Sequence, residues 1–354
     1  MEADISDGNE NKNYELVIEI EKIFERQEIQ STVQCCIYKV PRPLRKWNEE
    51  AYTPQLVSIG PFHHKNERLK AMEQHKERYF RSFMQKDGIV LKDFVGIIRE
   101  MEESIRGCYE ETIDLTSDRF VKMILLDAVF ILELFIRHGL RPRTSDDPMF
   151  VQPKAKAIML DLLLLENQLP FFVFEKLHQL AFPFLSNNES LLQLSFDYFE
   201  HFNDQRTPPG PNVKIKHFTD LLRTFKLPPL SWEQPRCHQR IKYFYTATQL
   251  HDAGVKFLVG SSNCCLDIKF DSRKGELEIP SLELDYSMEV VIRNIMALEQ
   301  TRYIENAYFT DYFLFMDLLI KTSKDVDLLC ENRILVNFLD DNDAVKSKIG
   351  RAHV

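Results

Sequence analysis

The chain has 354 residues, 44% of them hydrophobic, and a formal net charge of −9 at pH 7. This length and composition predict a globular protein and exclude a largely disordered one. Surfaces that bind phosphate backbones need clustered lysine and arginine, so the negative charge argues against a nucleic-acid-binding protein. The densest basic cluster is short and is expected to be a solvated face: Lys39, Arg42, Arg45 and Lys46.

The N-terminal segment, residues 1–30, is predicted to be a loose acidic arm followed by an amphipathic helix at 14–27. It contains neither a secretory signal nor a transit peptide. The seven cysteines show no metal-binding spacing and are expected to be reduced thiols. No window has the 18 or so uninterrupted apolar residues that a membrane-spanning helix needs. As written, the chain is therefore expected to be soluble and cytoplasmic.

Hydrophobic spacing predicts the elements that follow. Short strands are expected at 33–40 and 55–59, and helices at 69–83, 93–108, 118–138, 153–168, 170–180, 288–298 and 309–321. In the helix at 69–83, Lys76 belongs to the charged, solvent-facing side. In the helix at 118–138, Asp127 and Glu133 need cationic partners because they lie in an apolar run. The candidates are Lys122, Arg137 or an arginine on a facing helix.

Alternation with a period of two then predicts an antiparallel hairpin. Leu266, Ile268 and Phe270 share one face, and after the loop at 271–275 Leu277 and Ile279 continue it. The fold class is therefore α+β, predominantly α-helical, with a small antiparallel β-hairpin or sheet. We favour one continuous domain over residues 31–348, and the proline-rich region within 202–235 is the place for a hinge if there are two lobes.

The run at 158–177 is almost wholly apolar and is interrupted by Glu166, Asn167, Gln168 and Pro170. Proline disfavours helical geometry in the preceding residue and fits the first turn of a new helix. One helix should therefore stop near Gln168 and the next should start at Pro170. The three polar side chains are expected to satisfy backbone groups that lose their helical partners there. Asp161 and Glu166 could form an acid–base pair, but a five-residue helical offset turns them apart.

A second block, residues 52–64, reads Tyr-Thr-Pro-Gln-Leu-Val-Ser-Ile-Gly-Pro-Phe-His-His and contains Pro61, His63 and His64. Together with the run at 158–177, this block resembles the plant domain-of-unknown-function 247 family. Further blocks in the same order include Ile-Tyr-Lys-Val-Pro at 37–41 and Ala-Gly-Val-Lys-Phe at 253–257. They extend the resemblance over about residues 37–343.

The resemblance implies a non-enzymatic recognition protein with an unknown protein partner, since some grass members are implicated in pollen self-incompatibility. Members of the family usually end in a membrane-spanning helix, which implies a tail-anchored protein with a cytosolic domain, and that helix is missing from this chain. The last six residues, 349–354, can be encoded by a common sequencing-adapter sequence. The hypothesis is that natural sequence ends near Lys348.

His63 and His64, with His75, are the best metal candidates. Neighbouring histidines on an extended segment point to different sides and no zinc motif occurs, so neither a metal site nor a cofactor is predicted. The alternative is an uncharacterised enzyme with a cleft around His63, His64 and Glu166. In the favoured interpretation the chain is not an enzyme, and the family-motif residues are structural or partner-facing: Pro61, His63, His64, Glu166, Asn167, Gln168 and Pro170.

Overall fold

The structure is a computed structural model that describes residues 35–140, 147–183, 190–205, 213–228, 244–339 and 341–350, together with Val17. The chain divides into two compact units, residues 1–35 and 36–354. Apart from Val17, the predicted arm and helix of residues 1–30 lie outside the described residues, as do residues 351–354 of the predicted adapter-derived tail. The hinge region predicted at 202–235 also falls largely outside them, at 206–212 and 229–235. The following description concerns the second unit.

The described part of the second unit is predominantly helical, as predicted. Its α-helices are α1 (Arg42–Arg45), α2 (Ala71–Met84), α3 (Leu91–Glu100), α4 (Glu102–Arg106), α5 (Ser117–Gly139), α6 (Lys154–Asp161), α7 (Phe171–Ala181), α8 (Leu191–Tyr198), α9 (Phe218–Lys226), α10 (Ala247–Asp252), α11 (Tyr286–Arg302), α12 (Tyr308–Leu319), α13 (Ser323–Glu331) and α14 (Asn342–Gly350). Short 3₁₀ turns occupy Glu50–Tyr52, Glu67–Leu69, Pro148–Phe150, Glu200–Phe202 and Ile304–Asn306.

Five short strands within the described residues form two small sheets. They are β1 (Lys256–Gly260), β2 (Lys269–Asp271), β3 (Glu276–Pro280), β4 (Leu282–Leu284) and β5 (Leu335–Asn337). In the larger sheet β3 is central, parallel to β1 and antiparallel to β2, and β4 pairs with β5 in parallel. The predicted hairpin is present as β2 and β3, but β1 makes its sheet mixed. Phe270 was expected on the buried face, yet it is 58% exposed, and all three residues of β2 are exposed.

The helix predicted at 118–138 is α5, which lies at the centre of the core. Fourteen of its residues are buried, and it packs against α2, α3, α7 and α8. A helix that is apolar all round its surface is stable only when other elements surround it. None of the helices in the described ranges has the length and hydropathy needed to span a lipid bilayer.

Four predicted elements differ from the structure. The helix predicted at 93–108 is divided at Met101 into α3 and α4, a break that the continuing hydrophobic spacing does not reveal. The helix predicted at 153–168 ends at Asp161. The described part of the strand predicted at 33–40 forms only an isolated bridge between Ile37 and Tyr109, and residues 55–59 form no strand. Hydrogen bonds in the candidate site explain the early end of the helix and the missing strand at 55–59.

Candidate functional site

Four buried polar side chains lie at the end of α6 and in the segment before α7, and we call them the polar joint: Asp161, Glu166, Asn167 and Gln168. Each is at most 3% exposed. The segment that connects α6 to α7 is stabilised by one of its own side chains. Gln168 Nε2 donates to the carbonyls of Leu162 and Leu164 at 2.7 and 2.8 Å. These bonds satisfy carbonyls that would otherwise be left at the end of α6. The helix therefore stops at Asp161 rather than near Gln168.

Asp161 binds three consecutive backbone amides. Its Oδ1 accepts the N–H of Gln55 at 2.8 Å, and its Oδ2 accepts those of Leu56 and Val57 at 2.7 and 2.8 Å. Burial raises the pKa of Asp161 to about 6, and the three amide donors oppose that rise. Asp161 therefore fixes a backbone segment that lies more than 100 residues earlier in the chain.

Asn167 continues the same pattern. Its Oδ1 accepts the N–H of Ile59 at 2.7 Å, and its Nδ2 donates to the carbonyls of Val57 and Asp161, both at 2.9 Å. Asp161 and Asn167 thus supply the hydrogen bonds that this backbone would otherwise lack. This explains why residues 55–59, which were predicted to be a strand, pair with side chains and not with another strand in the described chain.

Gly60 is held by a buried ion pair. Asp127 Oδ2 accepts its N–H at 2.8 Å, and Asp127 Oδ1 lies 2.6 Å from Lys76 Nζ. Lys76 also donates to the carbonyl of Ser58 at 2.5 Å. Burial lowers the pKa of Lys76, but the carboxylates of Asp127 and Glu73 more than offset this and raise it. The prediction that Lys76 faces solvent is wrong, because its ammonium group is the cation that compensates Asp127.

Glu133, the second buried carboxylate of α5, pairs with Arg137, which is one of the partners that the sequence suggested. Arg137 Nε donates to Glu133 Oε1 at 2.8 Å, one turn along the helix. Lys86 on the segment after α2 also pairs with Glu133, and Ser82 donates to it at 3.2 Å.

Glu166 forms ion pairs with residues of the basic cluster. Its Oε1 accepts the N–H of Val40 and lies 2.6 Å from both that nitrogen and Arg45 Nη2. Lys39 Nζ is 3.7 Å from Oε2. Although burial raises the pKa of Glu166, contacts with His63, Val40 and Arg45 lower it to about 2. Lys39 and Arg45 therefore compensate a buried charge, whereas the basic cluster as a whole was expected to be a solvated face.

Gln168 joins two further parts of the core to the joint. Its Oε1 accepts the N–H of Phe218 at the start of α9, at 2.9 Å. Its backbone carbonyl accepts the hydroxyl of Tyr109 at 3.0 Å. Gly60 passes so close that a Cβ atom there would lie 2.6 Å from this carbonyl oxygen, and its φ of +72° also favours glycine.

The remaining family-motif residues lie near the joint but in different environments. His63 Nε2 is 3.5 Å from Glu166 Oε2, whereas His64 is exposed. Pro61 is half-buried. Pro170 is the residue before α7, so this helix begins at Phe171, one residue later than predicted. The structure therefore brings His63 and Glu166 together but leaves His64 in solvent.

Sequence reasoning gave no role to Asn294, although it completes the support of the joint. Its Oδ1 accepts the N–H of Leu165 at 2.9 Å, and its Nδ2 donates to the carbonyls of Ala51 and Val290, both at 2.8 Å. An asparagine within an apolar stretch of helix is a weak signal for such a role, because asparagine is a poor helix former. The backbone partners themselves cannot be read from the sequence.

The larger cavities lie elsewhere. One of about 1,070 Å³ is lined by Asp204, Lys226, Cys265, Phe309 and neighbouring residues, and its lining includes neither histidine of the motif nor Glu166. Within the described ranges, no three side chains of the types that bind metals are grouped as a ligand set. At neutral pH the joint offers an ionised Glu166, and its lowered pKa makes this carboxylate a weak general base.

Comparisons with known proteins place the chain in a family. A profile described as a plant protein of unknown function, DUF247, matches residues 37–351. The UPF0481 protein At3g47200 of Arabidopsis thaliana is 29% identical, with 88% of this chain and 71% of the relative covered. The putative UPF0481 protein At3g02645 of the same plant is 23% identical, with 87% and 76% covered. No solved structure matches. The chain belongs to the DUF247 family of plant proteins of unknown function, which confirms the resemblance.

Proposed function

We propose that this chain is a non-enzymatic module that binds a protein partner. The observation that carries the proposal is that the side chains of the polar joint bind backbone groups of the protein itself. Asp161 and Asn167 bind the backbone of residues 55–59, and Gln168 binds backbone groups of three other residues and Tyr109. Side chains that are saturated by structural hydrogen bonds have no capacity left for substrate or catalysis. In this proposal the family motifs stabilise the fold, and the surface of the protein recognises the partner.

The mixed sheet supplies a surface that suits a partner. The edge strand β1 exposes Val259 at 45%, and Phe270, which the register places on the same face, is 58% exposed on the opposite edge strand β2. Edge strands can pair with an added strand, and exposed apolar side chains on one face of a sheet mark interaction sites. Both features support the sheet as the place where a protein partner binds.

One contact favours the alternative, an enzyme with a cleft around His63, His64 and Glu166. The 3.5 Å approach of His63 to Glu166 resembles the start of a histidine–carboxylate pair. Against it stand the lowered pKa of Glu166 and the exposure of His64. A general acid or base near neutral pH needs a carboxylate with a raised pKa. We therefore favour binding.

The test is comparative capture of partners by cross-linking in plant extract. The protein is compared with the variant Val259→Asp/Phe270→Asp and with Ile304→Asp, a control that changes a hydrophobic residue outside the sheet with an exposure similar to that of Phe270. We expect the wild type and the control to cross-link the same partner and the sheet variant to lose it while its circular dichroism is unchanged. Identical capture by all three proteins would contradict the sheet surface.

We also propose, on the family resemblance alone, that longer natural products of this gene are tethered to a membrane by an apolar C-terminal helix. Membrane fractions from plant tissue provide the test, because an integral helix is released by detergent but not by high salt. Recovery of the natural protein in the soluble fraction would contradict the tether. Release by salt alone would replace it with a charge-driven attachment.

A further inference from the structure

Residues 36–37 run alongside residues 108–110. Ile37 forms a parallel bridge with Tyr109, and the N–H groups of Cys36 and Ile37 both lie 2.9 Å from the carbonyl of Cys108. The N–H of Glu110 returns to the carbonyl of Ile37 at 3.0 Å. In this register Cys36 and Cys108 are the residues that precede the two bridge partners, so they are lateral neighbours.

The two thiols also contact each other, because the Cys36 side chain hydrogen-bonds the Cys108 sulfur. Sulfurs in contact at adjacent positions of a bridge are placed to form a disulfide, which joins Cα atoms roughly 4.4 to 6.8 Å apart. Both side chains are buried, at 2% exposure for Cys36 and 4% for Cys108. Both cysteines are present as reduced thiols.

The surroundings favour a reactive thiol at Cys108. The hydrogen bond with the Cys36 side chain lowers the pKa of Cys108, as do the charges of Lys216 and Arg302, and together they outweigh the opposing effect of burial. In the structure the Cys108 thiol donates to the carbonyl of Ser104 at 3.3 Å. It can attack once this proton is lost, and the lowered pKa favours that loss at Cys108.

A buried histidine fixes the position of Cys36. Burial lowers the pKa of His217 to about 4, so its imidazole is neutral at pH 7. Its Nδ1 accepts the N–H of Asp220 at 3.3 Å, and therefore its Nε2 carries the proton and donates to the carbonyl of Cys36 at 2.9 Å. The Cys36 backbone is thus held beside Cys108 from two sides.

We propose that Cys36 and Cys108 are an oxidation site, a buried dithiol that hydrogen peroxide converts to a disulfide. The Cys108 thiolate attacks one peroxide oxygen, the O–O bond breaks, and hydroxide leaves while a sulfenic acid forms. The Cys36 thiol then loses its proton and attacks the Cys108 sulfur, forming the S–S bond as the sulfenic oxygen leaves as water. Two thiols and one peroxide become one disulfide and two waters, and the small oxidant suits a buried site.

The bond would tie together two segments that the polar joint already holds. The Cys36 segment reaches the joint through Val40 and Glu166, and the Cys108 segment reaches it through Tyr109 and Gln168. Closing a long loop restricts the unfolded chain and stabilises the folded one. This inference does not depend on the proposed binding function.

The experiment treats the purified 354-residue protein with a small excess of hydrogen peroxide, alkylates the remaining thiols and maps peptides by mass spectrometry. We expect a Cys36–Cys108 linked peptide, two fewer free thiols, and a melting temperature raised by roughly 5 °C, all reversed by dithiothreitol. Cys36→Ser and Cys108→Ala should lose these effects, and Cys330→Ser, which changes a half-buried cysteine elsewhere, should keep them.

Peptide mapping of the wild type decides the matter even if a variant fails to fold. Thiols at Cys36 and Cys108 that persist after peroxide has oxidised other cysteines would overturn the proposal. Conversion of Cys108 to sulfinic acid without a link, or a bridge from Cys108 to a different cysteine, would overturn it as well.

Discussion

The Asn167 side chain binds the backbone of Ile59 as a neighbouring strand would. Its Oδ1 accepts the Ile59 N–H at 2.7 Å, across 108 positions of sequence. With Asp161 and Asp127, Asn167 accounts for the amides of residues 55–57, 59 and 60. A segment that would otherwise bury unpaired amides is thereby made part of the core.

Asn167→Leu should destabilise the protein. The substitution removes three hydrogen bonds and leaves the Ile59 amide buried without its acceptor. One unpaired buried group costs about 1 to 3 kcal/mol, and we expect the free energy of unfolding in urea to fall by at least that amount. Asn66→Leu, which removes only an exposed cap of a 3₁₀ turn, is the control and should have a small effect. Unchanged stability together with lost partner binding would show that Asn167 is a recognition residue.

The sequence predicts those elements whose stability depends on local spacing. The apolar run of α5 and the amphipathic pattern of α2 are of this kind, because periodicity reports which face is buried. Residues 162–165 carry the same apolar character but are not helical, since Gln168 takes over the carbonyls at the end of α6. The spacing of apolar residues does not reveal that the Gln168 side chain binds these carbonyls.

The hydrogen-bond partners of the candidate site could not be predicted for a related reason. Residues 55–59 have the composition of a strand, yet their partners are side chains of Asp161 and Asn167. Lys76 is one charged residue among several on α2, and only the position of Asp127 on α5 distinguishes it. When the role of a residue depends on a contact that is distant in sequence, this role cannot be identified from one sequence without the fold.

Gly60→Ala should be among the most damaging small substitutions. The added Cβ would lie 2.6 Å from the Gln168 carbonyl oxygen, at a φ of +72° that side chains rarely adopt. Backbone strain of this kind alone costs about 1 to 3 kcal/mol, and the steric clash adds to it. We expect a loss at or above the upper end of that range in chemical unfolding.

Gly88→Ala is the matched control for Gly60. Gly88 also has a positive φ, of +82°, but nothing lies within 4 Å of the added Cβ. We expect it to show the strain without the clash, and so a smaller loss of roughly 1 kcal/mol. Equal losses at Gly60 and Gly88 would mean that the close approach to Gln168 contributes nothing.

Chelators should leave the melting temperature unchanged, in line with the prediction of no metal site. A structural metal contributes to folding directly, so its removal lowers stability. Differential scanning calorimetry of the purified protein with and without a strong chelator provides the measurement. A lower melting temperature that zinc restores would contradict this prediction.

Glu166→Gln should change how stability depends on pH. The contacts of Glu166 lower its pKa from a usual value of 4.5 to about 2 in the folded protein. A carboxyl group with a lowered pKa contributes stability above its unfolded value, and this contribution is lost as the pH falls towards the folded value. We therefore expect the wild type to exceed Glu166→Gln at pH 7 and this difference to disappear between about pH 5 and pH 2.

A shift of this size corresponds to roughly 3 kcal/mol of stability at neutral pH. Urea unfolding of both proteins at pH 7, 5 and 3 measures it.

Asp161 acts in the opposite direction. Its raised pKa of about 6 gives stability below pH 4 that is lost as the pH rises through 6. This effect is common to both proteins and cancels in the difference between them. Glu111→Gln removes the same charge at an exposed position 4.0 Å from Lys39 and should show no such dependence. A difference between wild type and Glu166→Gln that stays constant from pH 7 to 3 would mean that Glu166 is not held as a buried ion pair.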